Sequence, residues 1–184
     1  MSSRALPDER SLVERAKTDP GAFGELYDRY FHQMYRFVFS RMRDQTAAED
    51  VTSEVFIKAL KGIPRYQDTG RPFVAWLYQI AVNTVADRYR SSRPTVDIDE
   101  VHDIGTAGPS LEDLAVRRDE VRQVWAIVEK LPAPQRTAIV LKFQEDMKIT
   151  DIAAVMGKTE GAVKLLIHRG MTRIRGTLVP GAAR

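Results

Sequence analysis

Apolar side chains recur at intervals of three and four residues along the first half of the chain, which is the period of an amphipathic helix. The pattern predicts a short helix over residues 12–17, a long one from residue 22, a third over residues 46–60 and a fourth from residue 73. A loop rich in glycine, proline and polar residues, 61–72, precedes the fourth helix. No strand pattern is present. The side chains expected to face the core are Phe23, Leu26, Tyr27, Tyr30, Met34, Phe37, Val38, Val51, Val55, Phe56, Ala59, Phe73, Trp76, Leu77, Ile80, Ala81 and Thr84.

A second apolar pattern with the same period occupies the last third of the chain. Pro132 and Pro134 interrupt it, and a proline is tolerated in the first turn of the next helix, which we predict over residues 137–143. The helix before the prolines is expected to bury Leu114, Val121, Val124, Trp125, Val128 and Leu131. The sequence therefore predicts an all-α protein with two small helical domains, residues 1–93 and 114–184.

The last two helices, over residues 148–175, have the spacing of a helix-turn-helix. Gly157 takes the turn, because the left-handed backbone that ends a helix favours glycine, and Thr159 is expected to cap the second helix. Ile152, Ala153 and Met156 share one face of the first helix. The exposed side of the second helix carries Lys164, His168, Arg169, Arg173 and Arg175. Such a face is typical of a helix that enters the DNA major groove, and an ordinary solvated helix surface is the alternative.

Residues 94–113 separate the two blocks and differ from both in composition. From position 94 to position 116 there is no lysine or arginine, and Gly105, Gly108 and Pro109 interrupt any helix. The acidic residues there are Asp97, Asp99, Glu100, Asp103, Glu112 and Asp113. We predict a flexible acidic linker, for which a plain spacer is the simpler interpretation.

The composition excludes several kinds of chemistry. The 184 residues include no cysteine, so disulfides, thiolate catalysis and zinc-cysteine sites are excluded. His32, His102 and His168 lie in three separate segments, so we expect neither an enzyme nor a metal or cofactor site. The glycine, lysine and threonine at 157–159 are not a phosphate-binding loop, because Ile152 stands where that loop needs a glycine.

The chain also lacks the sequence features of membrane insertion and export. No apolar run reaches the roughly 20 residues of a membrane span, and the first ten residues lack the apolar core of a signal peptide. We therefore expect a cytoplasmic protein without membrane insertion. The formal net charge is only +3, so nucleic-acid binding would depend on where the charges lie.

Four segments, in order, resemble the extracytoplasmic-function (ECF) group of bacterial sigma factors, which belong to the sigma-70 family. They are Ala48-Glu49-Asp50-Val51-Thr52-Ser53-Glu54-Val55-Phe56, Trp76-Leu77-Tyr78-Gln79-Ile80-Ala81-Val82-Asn83-Thr84, Leu131-Pro132, and Gly161-Ala162-Val163-Lys164 before His168-Arg169. The resemblance covers about residues 22–175. It implies a protein without catalysis of its own that docks on core RNA polymerase and directs it to promoters through the -10 and -35 elements.

The resemblance implies a polymerase contact on the third helix. Asp50 and Glu54 lie one helical turn apart and suit a basic groove on the clamp helices of the β′ subunit, although simple solvation is the alternative. Ser53 and Lys58 complete the expected contact. Similar proteins commonly carry a glutamine at the position of Ser53, so one polar contact is expected to be shorter or missing.

The expected -10 contacts follow the third helix. The loop offers Arg65, Tyr66, Gln67, Asp68 and Arg71 for capturing an exposed base. On the fourth helix, the amide of Asn83 is expected to read a base beside Gln79, and the expected phosphate contacts are Arg88, Arg90 and Arg93. Trp76 is expected to pack in the core rather than stack on DNA.

The expected -35 contacts lie around the helix-turn-helix: Lys142, Lys158, Thr159, Gly161, Lys164, Leu165, His168 and Arg169. Leu165 and Leu166 replace polar residues of similar proteins, so we expect apolar contact with thymine methyls or shape readout. Lys148 replaces the usual serine cap of the first helix of the motif.

The resemblance also implies partners. They are core RNA polymerase, through its β and β′ subunits, promoter DNA and an anti-sigma factor, and the acidic linker would suit the basic channel of polymerase. Two other classes of protein fit the sequence less well. A free-standing DNA-binding regulator gives no reason for the acidic face at Asp50 and Glu54, and an enzyme lacks a catalytic constellation.

Overall fold

The structure is a computed structural model that describes residues 7–91 and 123–178. These residues form helices joined by turns, with no strand among them, so the all-α prediction is confirmed. Contacts divide the chain into two compact units, Met1–Pro94 with Thr150–Lys158 and Thr95–Ile149 with Thr159–Arg184. The expected linker at 94–113, together with Arg93, Leu114 and Val121, lies outside the described residues.

The N-terminal segment contains four α-helices and one short 3-10 helix. They are α1 (Pro7–Ala16), α2 (Pro20–Met42), α3 (Gln45–Gly62), the 3-10 helix (Ile63–Arg65) and α4 (Phe73–Ser91). All four predicted helices are present. The first begins several residues earlier than the apolar pattern indicated.

Short polar caps separate these helices. The Asp19 carboxylate accepts the Gly21 N–H at 2.8 Å at the start of α2, and the Asp44 carboxylate accepts the Ala47 N–H at 2.7 Å at the start of α3. Between them, Arg43 adopts a left-handed backbone (φ 55°) and its N–H bonds to the Phe39 carbonyl at 2.9 Å. These turns let α1, α2 and α3 fold back on one another.

The core of this segment lies between α2, α3 and α4. The ring of Phe37 meets the ring of Tyr78 edge-on, with centroids 4.8 Å apart. Other side chains with almost no exposed surface are Leu12, Leu26, Met34, Val38, Val51, Val55, Ile63 and Leu77. Most of the predicted inward residues are therefore buried.

Some predicted core positions are corrected by the structure. Tyr27 is 37% exposed, and Trp76 and Ile80 are only half-buried. Tyr78 and Val85 are buried instead. On α4, which contacts both α2 and α3, the buried face is displaced from Trp76 and Ile80 toward Tyr78 and Val85.

The C-terminal segment contains α5 (123–129), α6 (Ala133–Ile139), a π-helical turn (Val140–Gln144), α7 (Ile149–Met156) and α8 (Glu160–Leu178). The predicted helix over 137–143 is corrected. Since Pro134 lies in the first turn, α6 begins at Ala133, and it widens into the π turn after Ile139. There the Glu145 N–H donates to the Val140 carbonyl, five residues earlier, at 3.1 Å.

Helices α6 and α8 pack closely at a glycine. A Cβ placed on Gly170 would lie 2.4 Å from Cδ1 of the buried Ile139, so a larger residue would require the Ile139 side chain or the helices to shift. Gly170 and Val163 are both buried in α8. This packing positions α8 with one face inward and the other in solvent.

Candidate functional site

The outer face of α3 presents the residues expected to contact polymerase. Asp50, Ser53, Glu54 and Lys58 are all exposed, while the buried residues of α3 face the other way. Glu54 and Lys58 form an ion pair at 2.7 Å. Asp50 is therefore the acidic group on this face that has no ion pair among the described residues.

Lys58 also belongs to a contact between α3 and α4. Its Nζ donates to Oγ1 of Thr84 at 3.2 Å and lies 3.9 Å from the Asp87 carboxylate. Two large apolar side chains on the exposed side of α3, Ile57 (51% exposed) and Leu60 (47%), were missed in the sequence analysis. Helical spacing from Asp50 and Ser53 places Ile57 on the same face, so the periodicity contained the necessary information.

The loop after α3 is held by internal contacts. Asp68 accepts the Gly70 N–H at 2.8 Å and forms an ion pair with Arg10 of α1 at 3.1 Å, and Gly70 has a φ of 77°. Arg65, Gln67 and Arg71 are exposed. The structure therefore leaves Arg65 and Gln67 open to solvent, pairs Arg71 with the Asp151 carboxylate at 3.7 Å, and uses Asp68 to shape the backbone.

Tyr66 does not present a free ring. Its centroid lies 5.4 Å from that of Phe73 and 5.0 Å from that of Trp76. Burial raises the pKa of the Tyr66 phenol, and the negative charges of Asp68 and Glu9 raise it further. The tyrosine is therefore a neutral, half-buried part of an aromatic cluster that includes the half-buried Trp76.

Glu9 of α1 is a second group that the sequence analysis missed. Its side chain is 7% exposed, accepts a hydrogen bond from the Tyr30 hydroxyl, and accepts the backbone N–H of Phe73, the first residue of α4. Burial raises the pKa of this carboxyl, while the positive charge of Arg29 and the Phe73 N–H oppose the shift. No local pattern in the sequence links Glu9 to either partner.

The exposed face of α4 carries the other expected -10 residues. Gln79, Asn83, Arg88 and Arg90 are all exposed. Arg90 pairs with Asp87 one turn earlier. The Asn83 amide makes no hydrogen bond within residues 7–91 and 123–178, so its donors and acceptor face solvent.

The turn between α7 and α8 has the predicted glycine and N-cap. Gly157 has a φ of 61°, and the Lys158 N–H bonds to the Ala153 carbonyl at 2.9 Å, which closes α7. Oγ1 of Thr159 accepts the Ala162 N–H at 3.2 Å, so the predicted N-cap of α8 is confirmed.

The basic face of α8 is open to solvent. Lys158, Thr159, Gly161, Lys164, Leu165, His168 and Arg169 are all exposed. Leu165 is 47% exposed. Lys142 differs from the others, because it is half-buried and its Nζ donates to the Met147 carbonyl beyond the π turn at 3.3 Å.

Two further features concern residues 7–91 and 123–178. These residues contain no cluster of three or more histidine or acidic side chains that could hold a metal ion. None of the helices they form has the length and apolar character of a membrane span.

Comparisons with known proteins agree with this arrangement. Residues 26–95 match the model of Sigma-70 region 2, and residues 122–174 match Sigma-70, region 4. The chain is 38% identical over 176 residues to the ECF RNA polymerase sigma factor BldN of Streptomyces coelicolor, covering 94% of this chain and 66% of that protein. It is 32% identical over 177 residues to the ECF RNA polymerase sigma factor SigD of Mycobacterium tuberculosis, covering 91% of this chain and 82% of that protein.

A solved structure also matches. CnrH, in complex with the cytosolic domain of CnrY, aligns with a TM-score of 0.68 and 26% identity, over 94% of this chain and 98% of that chain. Because both sigma-70 regions are present in order and the match to SigD spans most of either protein, the chain belongs to the ECF RNA polymerase sigma factors of the sigma-70 family.

Proposed function

We propose that the protein binds core RNA polymerase, through its β and β′ subunits, and directs it to promoters that carry -10 and -35 elements. The observation that carries the proposal is the order of the two matched regions, 26–95 and 122–174, each with an exposed face of suitable charge. In this proposal the protein acts in the cytoplasm and catalyses no reaction itself.

The proposed domain division is a polymerase-binding and -10 domain at residues 1–93, a linker at 94–113 and a -35 domain at 114–184. The two matched regions lie on either side of the linker, which supports this division. The acidic linker is proposed to lie in the basic channel of polymerase. Changing Asp97, Asp99, Glu100 and Asp103 to asparagine should weaken polymerase binding or initiation, and unchanged values of both would contradict this role.

The α3 face formed by Asp50, Ser53, Glu54 and Lys58 is proposed as the contact with β′. Exposed carboxylates give charge complementarity with a basic partner, which sets register and association rate. Asp50→Asn with Glu54→Gln should weaken polymerase binding, and more so at low salt. Glu49→Gln is a matched control, since Glu49 lies on the same helix and accepts a hydrogen bond from Gln45 at 2.9 Å.

The -10 element is proposed to meet the loop and the exposed face of α4. Arg65, Gln67 and Arg71 offer polar groups from the loop, Gln79 and Asn83 offer amides from α4, and Arg88 and Arg90 are proposed to contact phosphates. Tyr66 and Asp68 are proposed to support the conformation of this loop through their contacts within the protein. Asn83→Ala should relax the preference at one -10 position, whereas Arg88→Gln should lower DNA binding evenly across sequences.

The -35 element is proposed to meet α8. Lys164, His168 and Arg169 lie on its exposed face beside Leu165, while Lys158, Thr159 and Gly161 lie at its N-terminus, where backbone N–H groups favour phosphate. Lys142 is proposed as a phosphate contact that must first release the Met147 carbonyl. Leu165→Ser tests whether apolar contact supports recognition of a thymine-containing -35 element.

An anti-sigma factor is proposed as the inhibitor of this protein. The similarity to CnrH, whose structure contains the cytosolic domain of CnrY, supports a protein partner of this kind. The exposed apolar side chains Ile57 and Leu60 beside the acidic α3 face are suited to contact with a covering protein.

The decisive experiment is transcription in vitro from a genomic promoter library, with core polymerase in the presence and absence of this protein. We expect a set of transcript starts that requires the protein and shares -10 and -35 motifs at one spacing. If no new starts appear and the protein binds duplex DNA alone, the function is that of a free-standing regulator.

A further inference from the structure

Helix α1 lies outside the residues that match sigma-70 region 2, which begin at residue 26, yet it contacts the middle of the proposed -10 loop and the residue that follows it. Arg10 pairs with Asp68 in the middle of the loop at 3.1 Å. Glu9 accepts the N–H of Phe73, where the loop ends and α4 begins. Two neighbouring residues of one helix thus contact a segment about sixty positions later in the chain.

The two contacts act on different parts of the loop. Asp68 uses its other carboxylate oxygen to accept the Gly70 N–H at 2.8 Å, so its side chain connects α1 to the turn at Gly70. The first N–H groups of a helix have no partner within the helix, and Glu9 supplies one for α4 from outside. The Tyr30 hydroxyl in turn donates to Glu9 and orients it from α2.

We infer that α1 is a positioning element for -10 recognition, in which Arg10 and Glu9 hold the loop and the start of α4 in the geometry that reads promoter DNA. This inference rests on the proposed function of the loop. Arg10 and Glu9 act through Asp68 and Phe73, so they are positioning residues rather than DNA contacts.

A double-mutant cycle tests the Arg10 contact. Asp68→Asn keeps an oxygen for the Gly70 N–H but loses the charge that Arg10 pairs with. The pair is partly exposed, with 63% and 35% of the two side chains accessible, so each single variant should lower transcription from a -10-dependent promoter about two- to fivefold. Arg10→Gln combined with Asp68→Asn should lose no more than either variant alone, because both remove one interaction.

The matched control is Arg15→Gln. Arg15 lies on the same helix and pairs with Glu25 of α2 at 2.9 Å, away from the loop. It should keep wild-type transcription, and all variants should bind core polymerase with wild-type affinity. A preserved melting temperature for Arg10→Gln, together with altered base preference in a library of -10 sequences, would separate positioning from general stability.

The outcomes are distinguishable. Additive losses in the cycle, or equal losses for Arg10→Gln and Arg15→Gln, would overturn the role of α1 while leaving the sigma-factor function intact. Absence of promoter-specific starts with the unmodified protein would instead overturn the proposed function itself. A loss of transcription in Arg10→Gln but not in Arg15→Gln, with rescue by Arg10→Lys, would support the positioning role.

Discussion

The loop over residues 66–72 and the exposed face of α8 are both proposed to meet DNA, but they are built differently. On α8, Lys164, His168 and Arg169 project from a regular helix whose opposite side is packed. In the loop, Asp68 and Tyr66 are held by α1 and by an aromatic cluster. A helix face is therefore set by local periodicity, whereas the loop depends on contacts with distant parts of the chain.

The largest expected effect is on the α8 face. Lys164→Gln with Arg169→Gln should reduce transcription from a -35-dependent promoter by about tenfold or more, because both positive charges leave the proposed major-groove surface. In vitro transcription measures this change. Lys130→Gln, at an exposed lysine outside α8, is the control. An equally active double variant would show that the basic face is ordinary solvated surface.

The packed side of α8 gives the next effect. Gly170→Val should lower the free energy of unfolding by about 1–3 kcal/mol, because the new side chain overlaps Ile139. Gly176→Val on the same helix is the control, since a Cβ there has no described neighbour within 4 Å. Urea unfolding followed by circular dichroism compares the two, and equal losses in both variants would contradict a specific overlap at Gly170.

A smaller effect is expected at the N-terminus of α8. Thr159→Ala should lower the free energy of unfolding by about 1 kcal/mol, because the Ala162 N–H loses its cap. Thr177→Ala, at the exposed end of the helix, removes a hydroxyl that donates to the Arg173 carbonyl and should change stability less. Calorimetry of both variants makes the comparison, and a larger loss at Thr177 would contradict it.

On the loop side, the pH dependence of stability reports on Glu9. The pKa of Glu9 in the folded protein is raised above the ordinary 4.5. Its contribution to the free energy of unfolding is therefore fully present below pH 4.5 and is lost as pH rises through the folded pKa. Glu9→Gln does not titrate. The stability of the Glu9→Gln variant should therefore rise relative to that of the wild type between pH 4.5 and neutrality, as measured by thermal unfolding.

The control for that experiment is Glu25→Gln, which removes an exposed carboxylate that pairs with Arg15. A stability difference between Glu9→Gln and wild type that stayed constant over the same pH range would show that the Glu9 carboxyl is not held in a buried environment.

The sequence predicted the helical features because they depend on near neighbours. The spacing of apolar residues placed α2, α3, α4 and α8, and the turn at Gly157 with its cap at Thr159 followed from residue type. The exposure of Asp50, Asn83 and Lys164 followed from the same periodicity.

Other helical features could not be read this way. The π turn after Ile139 has no residue signature, and the buried face of α4, which contacts both α2 and α3, is displaced toward Tyr78 and Val85.

By itself, the sequence determined the class of the protein, the order of its two helical regions and the faces that its helices present, because these follow from local periodicity, caps and short motifs. Only the tertiary structure decided that Arg10 meets Asp68, that Glu9 meets Tyr30 and Phe73, and that Gly170 meets Ile139. These partners are tens of residues apart, and the packing of whole helices brings them together.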